Sequence, residues 1–322
     1  MRQRLSSALT ALVLFGAVSP VAAQGTSGTD AGVFLLLPTG AEAVGMGQAS
    51  VAVEGGSESV WWNPAGLAAQ KKREVAIHHA HTVGGSGDVI TFVLPSRRRG
   101  SAAVSLNIFD PGQQQVTDDQ GQLLGTLFPR DLVFAGTYAL SITGVLNVGV
   151  NYKLVQFRVD CEGECGGTFA NSSRAADAGF QIKPSGDSPL AVGFAVRNFG
   201  GGLKTDAGKR DALPTRTDTG VLYHIAFLDK YLKDTEVRAA GSVVTTRGAP
   251  GASFRLGTDV TYQHEIHFRA GYVADKRDND SGASVGFGVK SGRVVFDFAK
   301  LFGGLSADAG VPPTYLSLRY LF

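Results

Sequence analysis

The residues with the clearest potential for chemistry are two cysteines and a group of histidines. Cys161 and Cys165 lie in the stretch DCEGEC, and His78, His79 and His81 lie in the stretch HHAH. Thiolates and imidazoles bind zinc, but such sites normally need more ligands of this kind. In an exported chain, two nearby cysteines more often close a small disulfide loop. We therefore expect a disulfide and no metal ion, with metal binding by the thiolates and neighbouring carboxylates as the alternative.

No catalytic arrangement emerges from the other reactive residues. No serine lies in a nucleophile elbow, and a catalytic triad could be assembled only by arbitrary choice. The three glycines at 200–202 lack the spacing and context of a phosphate-binding loop. We therefore expect neither enzymatic activity nor a cofactor.

The first residues are typical of a secretory signal peptide. Arg2 and Arg4 form a basic start, the apolar stretch LTALVLFGAV follows, and VAA supplies small residues before Gln24. The apolar stretch is too short to span a membrane as a helix. We expect residues 1–23 to be a signal peptide and the rest of the chain to be exported; a short buried helix is the alternative.

The composition argues against a nucleic-acid-binding protein. The chain has 30 Lys and Arg against 28 Asp and Glu, and removing Arg2 and Arg4 leaves 28 of each. A domain that binds nucleic acid usually carries a basic excess. No later run reaches the roughly 18 apolar residues that a membrane-spanning helix needs. The fold class must therefore be inferred from the spacing of apolar and polar residues along the chain.

The chain after residue 73 alternates apolar and polar residues with the period of a β-strand. In SFRLGTDVTY, for example, Phe254 and Leu256 alternate with Arg255 and Gly257. About fourteen such segments follow one another. They lie near 74–83, 87–95, 100–109, 131–142, 145–157, 174–183, 188–198, 216–228, 235–246, 252–263, 265–275, 281–290, 293–301 and 314–322.

Two all-β architectures fit this alternation. A soluble sandwich would bury the apolar face, whereas a membrane barrel turns that face to lipid. Tyr262, Tyr272 and Tyr320 lie at the ends of apolar series, and tyrosine is enriched at the lipid–water boundary. We therefore predict an all-β fold, a transmembrane antiparallel β-barrel of about 14 strands, in the lipid bilayer of a bacterial outer membrane.

The lengths of the connections support this prediction. If the last strand ends in the periplasm, long connections such as PGQQQVTDDQGQLLGTLFPR and VDCEGECGGTFANSSR lie outside the cell, and short turns such as TG and SG lie in the periplasm. Outer-membrane barrels have this asymmetry. The predicted external turns GGSG and RGAPG are short exceptions. This orientation puts Cys161 and Cys165 outside the cell.

The polar face of the later strands carries charges of both signs, which we predict to face the lumen. Such a set is typical of a salt-bridged, hydrated interior, and a substrate path is the alternative. The predicted lumen-facing charges are Arg238, Arg255, Asp259, Arg269, Arg293, Asp297 and Arg319.

The strand pattern continues to the end of the sequence, TYLSLRYLF. Leu316, Leu318, Tyr320 and Phe322 fall on the predicted lipid face. We expect this strand to close the barrel against the first one. The ending resembles the signal that the barrel-assembly machinery reads, so Tyr320 and Phe322 are the predicted assembly signal; the edge strand of a soluble sheet is the alternative.

The most distinctive local sequence precedes the first predicted strand: GAEAVGMGQASVAVEGGSESVWWNPAGLA. Its GMG and WNPAGL stretches resemble the N-terminal signature of the PorV/PorQ-like outer-membrane proteins, which are relatives of the FadL long-chain fatty-acid transporters. The tail GFGVKSGRVVFDFAK followed by LSLRYLF resembles the final hairpin of the same family. This resemblance implies a fourteen-stranded barrel.

The resemblance also implies a plug or hatch at 24–73 that folds into a barrel formed by 74–322. An Asn before Pro favours an extended or turn conformation, two glycines let the backbone lie close to the wall, and a third permits an unusual dihedral angle. A loose periplasmic tail is the alternative. The predicted hatch motif is Gly45, Gly47, Trp62, Asn63, Pro64 and Gly66.

Two functions follow from this resemblance. A PorV-like protein would act in type IX secretion, receiving clients from the translocon and passing them to the surface-attachment machinery. A FadL-like protein would be a passive channel for small hydrophobic compounds, with such a compound as its ligand. The apolar lumen positions of the early strands, Val93, Val133, Ala135 and Ala139, offer little material for a hydrophobic tunnel. We predict transport or secretion, with the PorV-like role first and the channel as the alternative.

Overall fold

The computed structural model describes residues 31–96, 99–185, 188–204, 210–249, 251–275, 281–303 and 310–322. The predicted signal peptide lies outside the described residues. The helical segments are 3-10 turns at Val33–Leu36, Pro64–Ala69 and Leu228–Lys230, and two short α-helices, α1 (Ala41–Gly45) and α2 (Ser59–Trp62). None of the described helices is long and apolar enough to cross a membrane.

The rest of the regular structure is β. The strands of the described residues are β1 (Glu74–Thr82), β2 (Gly85–Leu94), β3 (Ser101–Asp110), β4 (Gln114–Thr117), β5 (Leu123–Ser141), β6 (Leu146–Gly163), β7 (Phe169–Ile182), β8 (Leu190–Gly200), β9 (Gly202–Lys204), β10 (Arg210–Ala212), β11 (Arg216–His224), β12 (Thr235–Thr246), β13 (Ser253–Tyr262), β14 (Ile266–Ala274), β15 (Gly282–Ser291), β16 (Val294–Gly303) and β17 (Thr314–Leu321).

Fourteen of these strands form a closed antiparallel barrel. β1 pairs with both β2 and β17, so the first and last barrel strands meet, and β3 pairs with β5. The short strand β4 pairs only with β5, and β9 and β10 form a separate hairpin. Closure leaves no barrel edge with unpaired peptide groups, which is the condition for a sheet in hydrocarbon. The predicted all-β barrel of about 14 strands is confirmed.

The predicted strand boundaries are wrong mainly at β5, β6 and β7, and β7 begins at Phe169 rather than near 174. β5 begins at Leu123 rather than near 131, and β6 continues to Gly163 rather than ending near 157. The glycine and proline of GTLFPR suggest a loop, but Pro129 occupies a ladder position opposite Val159. β5 and β6 therefore extend beyond β3 as a ribbon, along which β4 pairs with β5 and β7 pairs with β6 as far as Phe169.

The two faces of the strands are inverted relative to a soluble protein. On β13, Phe254 and Leu256 are 55% and 63% exposed, whereas Asp259 is fully buried. Apolar side chains outside and charges inside are the pattern of a wall between lipid and lumen. The predicted alternation therefore agrees with the faces in the structure.

The two ends of the barrel differ in their connections. β1 begins and β17 ends at the same end, because Glu74 pairs with Leu321, and the two-residue turn 292–293 lies there too. We call this end the short-turn rim and the opposite end, with the β5–β6 ribbon and the β9–β10 hairpin, the long-loop rim. Arg293 lies in that turn and is exposed. Its predicted lumen position is wrong, because a residue in the turn lies beyond the strand alternation.

Candidate functional site: the hatch inside the barrel

Residues 31–70 fold into the lumen, and we call this segment the hatch. Helix α1 packs against β14 to β17, and the turn Pro64–Ala69 packs against β5, β6 and β7. Met46, Val60 and Leu67 are completely buried between the hatch and the wall. The segment therefore contacts opposite sides of the barrel interior.

The Asn-Pro dipeptide of the predicted motif starts one of these contacts. The Asn63 side chain accepts a hydrogen bond from the Ala65 amide at 3.1 Å, and Pro64 begins the 3-10 turn. The amide of the same side chain donates to the Val51 carbonyl at 2.7 Å and to the Phe180 carbonyl of β7 at 3.2 Å. One asparagine therefore caps the turn, joins two segments of the hatch and bonds the hatch to the wall.

The glycines of the GMG stretch allow an unusually close approach. A Cβ added to Gly47 would clash with the Leu256 carbonyl, and the residue has a positive φ of 59°. Gly45 lies against Gly286, and an added Cβ on Gly286 would be 2.9 Å from the Gly45 Cα. The predicted proximity of Gly45 and Gly47 to the wall agrees with this geometry.

The wall supplies matching glycines, which the sequence interpretation missed. At each of these positions an added Cβ would lie closer than 3.0 Å to a hatch atom. They occur on seven strands between β6 and β15, so side-chain-free positions face the hatch along this part of the wall. We call this set the glycine belt: Gly149, Gly179, Gly193, Gly220, Gly257, Gly271 and Gly286.

Gly66 is needed for space and not for an unusual dihedral angle. It is absent from the described residues with positive φ. A Cβ there would meet the Ser59 hydroxyl at 2.7 Å and the Val53 carbonyl at 2.8 Å. The predicted reason for this glycine is therefore wrong, because the 3-10 turn has ordinary dihedrals but packs tightly inside the hatch.

The two tryptophans of the hatch contact cations of the wall. The Trp62 indole donates to the Thr39 carbonyl at 2.8 Å, and the guanidinium carbons of Arg197 and Arg255 lie 5.1 and 5.6 Å from the ring centroid. The Lys153 ammonium lies 5.3 Å from the Trp61 ring. These distances are within the range of cation–π interactions.

Most of the predicted lumen charges form one network. Asp297 accepts from Arg269 at 2.7 Å and from Arg319 at 2.8 Å. Asp259 pairs with Arg238 and lies 3.5 Å from Arg269. The predicted lumen charges on β12, β13, β14, β16 and β17 are thus brought together.

The hatch completes this network with carboxylates that the sequence interpretation did not select. Glu42 on α1 binds Arg319 at 3.1 Å. Glu58 accepts from the Ala43 amide at 2.9 Å and from the Glu42 amide at 3.2 Å, so it caps the start of α1. Burial raises the pKa of Glu58 to about 8. No periodic pattern marks these hatch residues.

A second set of buried charges was also missed. Lys153 on β6 binds Asp177 on β7 at 2.7 Å, and Asp218 lies 3.9 Å from Arg197 and 3.8 Å from Arg255. Each occupies a lumen-facing position of its strand. The alternation in LNVGVNYKLV could have identified Lys153, since it shares a face with Gly149 and Asn151.

The histidines and cysteines do not form a common site. His78 faces the lumen and bonds to Ser57 at 3.1 Å and Ser317 at 2.7 Å, while His79 pairs with Asp88 on the outer face. Among the described residues no group of three or more potential ligands could hold a metal ion. Cys161 and Cys165 are joined by a disulfide at the end of the β5–β6 ribbon, with Cα atoms 5.9 Å apart.

The residues of the predicted assembly signal lie at the short-turn rim. The Phe322 ring stacks on Phe92 at 6.4 Å and on Tyr320 at 5.9 Å. Its backbone exchanges two hydrogen bonds with Arg73, next to β1. Recognition by the assembly machinery stays a prediction.

Comparisons with known proteins agree with this architecture. The model of the family "Type IX secretion system protein PorV" matches residues 21–239. No curated protein matches the chain in sequence. The solved structures that share the fold include the toluene transporter TodX of Pseudomonas putida (TM-score 0.59, 12% identity, 87% of this chain and 95% of that one), a FadL homologue of Pseudomonas aeruginosa (0.57, 12%, 88% and 98%) and the monoaromatic hydrocarbon channel CymD (0.59, 14%, 91% and 99%).

At these identities the structural likeness establishes the fold alone, whereas the family model covers well over half of the chain. The family match confirms the predicted PorV-like family and the predicted location in the outer membrane, and the solved structures confirm that the chain shares the barrel fold of FadL-type proteins. The short-turn rim is then periplasmic and the long-loop rim external, as in other outer-membrane barrels. The chain is a bacterial outer-membrane β-barrel that belongs to the PorV family of type IX secretion system proteins.

Proposed function

We propose that this protein is a sealed barrel that handles clients in type IX secretion, and that it is not a passive channel. The observation that carries the proposal is the hatch, which is bonded to the wall on opposite sides. Asn63 bonds to β7, the Gly47 amide donates to Ser284 of β15 at 3.1 Å, and Glu42 binds Arg319 of β17. A secretion component acts through its surfaces and does not need an open lumen.

The free space beside the hatch supports a sealed state. A cavity lined by Trp61, Trp62 and Lys153 measures about 10 Å³, and another beside Phe34 and His78 measures about 30 Å³. Holding one water molecule takes about 10–15 Å³ of such accessible space. Neither cavity has room for an aromatic hydrocarbon or an acyl chain.

A passive channel for hydrophobic compounds is the second candidate. The larger of the two cavities opens among apolar side chains, including Phe34, Leu37, Val89 and Phe109. The Trp61 indole N–H is buried without a hydrogen-bond partner in the described part of the chain. A hydrophobic compound could enter only if the hatch moved away from this side of the wall.

A disulfide lock separates the two functions. The Ala41 amide donates to the Ser317 hydroxyl at 2.9 Å, so these neighbouring positions are chosen for the pair of cysteines that would join hatch and wall. In the bacterium that makes the protein, the locked double variant A41C/S317C should still support surface display of secreted clients. The reduced and oxidised forms should show equally little toluene uptake in proteoliposomes.

The opposite result would identify a channel. The proposal would be contradicted if toluene entered proteoliposomes through the reduced form and stopped entering on oxidation, and if a strain that lacks the gene still secreted its clients normally. The single variants A41C and S317C serve as controls, because neither can form the cross-link. Mass spectrometry of the oxidised protein establishes that the lock has closed.

A further inference from the structure

The lipid-facing wall carries a groove of about 850 Å³ over β3, β5, β6 and β7. Its floor is apolar and continuous across the strands. Leu106 pairs with Phe134, and Phe134 pairs with Leu154, so these side chains lie side by side on the outer face. Leu132 adds to the same surface. A floor of this kind suits acyl chains, but by itself it would not distinguish one lipid from another.

Two arginines line the groove. Arg174 follows Leu154 on the next strand, and Arg210 comes from the β9–β10 hairpin; both line the groove. The Gly201 amide donates to the Arg174 carbonyl at 3.0 Å, which holds the hairpin segment beside β7. Both arginines are exposed, and in the described ranges neither makes an ion pair, unlike Arg158, which binds Asp160 nearby.

The position of Arg174 along β7 gives its depth in the membrane. β7 ends at Ile182 on the periplasmic side, so Arg174 lies about 26 Å along the strand and about 20 Å along the membrane normal for a typical strand tilt. The apolar band of such barrels is about 25 Å tall. Ala176, Ala178 and Phe180 on the same face are apolar, whereas Ser172 beyond Arg174 is polar. Arg174 therefore lies about 5 Å below the external boundary, within reach of the outer-leaflet headgroups for its long side chain.

We infer that this groove binds a phosphate-bearing lipid of the outer leaflet. The acyl chains would lie on the floor formed by Leu106, Phe134 and Leu154, and Arg174 and Arg210 would bind the phosphate. A guanidinium forms paired hydrogen bonds with phosphate, and an unpaired guanidinium at a headgroup boundary is satisfied by such an anion. The site lies on the outer face, so it is independent of whether the lumen conducts.

The test measures lipid binding to the delipidated, full-length barrel in detergent. The probes are diphosphorylated lipid A and the same lipid with both phosphates removed. Wild type should bind the phosphorylated lipid at least about tenfold more tightly, and the double variant R174Q/R210Q should lose that preference. R247Q is the matched control, because Arg247 is an exposed arginine at the external end of β12 and β13, away from the groove; it should bind like wild type.

A second variant tests the floor. L154W fills the groove while leaving both arginines in place, and it should weaken binding of the phosphorylated lipid. Heat-modifiability on gels establishes that every variant is a folded barrel. The inference would be overturned if wild type bound the two lipids equally, or if R247Q lost the preference for phosphorylated lipid A as fully as R174Q/R210Q does. It would also be overturned if inorganic phosphate bound on its own and displaced the lipid at millimolar concentration.

Discussion

The hatch meets two different walls inside one barrel. On the side of β2 to β6 the lumen wall carries an apolar cluster beside Lys153, and Val93, Val133 and Val155 belong to that buried cluster with Trp62 and Leu67 of the hatch. On the side of β11 to β17 the wall is charged, with buried aspartates and arginines that bind one another and the hatch. The same segment is thus held by side-chain packing on one side and by ion pairs on the other.

The two sides of the wall contribute differently to holding the hatch in the lumen. Apolar burial is non-directional and proportional to the area removed from water, so it stabilises the hatch without fixing its orientation. Buried ion pairs add little net stability relative to apolar groups, but they are favourable only when the two charged groups have a specific mutual geometry. We therefore infer that the apolar side stabilises the hatch in the lumen and that the charged side fixes its orientation, which we call the alignment role.

The largest effect is expected from the charged side. Asp297→Ala leaves Arg269 and Arg319 buried without their shared carboxylate, which should lower the free energy of unfolding by about 3–5 kcal/mol. Denaturant titration of the refolded barrel measures this loss. Asp160→Ala is the control, because it removes an exposed pair with Arg158 and should change little. Equal effects of the two variants would contradict the alignment role.

A somewhat smaller effect is expected on the apolar side. Leu67→Ala creates a cavity at a fully buried position and should cost about 3 kcal/mol. Leu67→Met conserves volume and should cost less than about 1.5 kcal/mol. Asp297→Asn also conserves shape, yet it should remain clearly destabilising because the charge is lost. If Asp297→Asn and Leu67→Met lowered the free energy of unfolding by the same small amount, the distinction between the charged and the apolar wall would be wrong.

The glycine belt gives the next test. Gly271→Ala places a Cβ against the Gly47 backbone and should cost about 1–3 kcal/mol through overpacking. Gly136→Ala is the matched control, since an added Cβ there meets nothing within 4 Å. Thermal unfolding followed by gel mobility compares the two. A Gly136 variant as unstable as the Gly271 variant would indicate a general strand effect and not a hatch contact.

The smallest loss of stability is expected at Trp62, which contacts both walls. Trp62 packs in the apolar cluster and also lies near Arg197 and Arg255. Trp62→Phe keeps the apolar ring but weakens the cation–π contacts, for which we expect about 1 kcal/mol, and loses the bond to Thr39. Chemical denaturation checks this, with Trp61→Phe beside it as a comparison. A neutral result would assign Trp62 to the apolar side alone.

The sequence predicts the wall better than the hatch. A period of two fixes which residues share a face, so Arg255, Asp259 and Asp297 were found correctly, as was the closure of the barrel. The same period does not mark where a strand stops, which explains the wrong position of Arg293 in a turn and the missed ribbon around Pro129.

The hatch has no such period. Asn63 and Gly47 were identified through a family resemblance, but their partners on β7 and β15 depend on three-dimensional register. Glu42 and Glu58 look like ordinary surface acids in the sequence and become recognisable only beside Arg319 and the start of α1. The belt glycines on the wall have the same ambiguity, because a glycine in a strand pattern has several common causes.

We expect the hatch to be a fixed part of the barrel, and hydrogen exchange of its amides measures whether it opens. The amides of Ala43, Gly47 and Ala65 donate to Glu58, Ser284 and Asn63 respectively. In the membrane-reconstituted protein, peptides covering 41–67 should exchange as slowly as those of β13 to β15, since opening the hatch requires breaking contacts on both walls. Complete exchange of 41–67 within seconds, while the wall strands remain protected, would contradict the account.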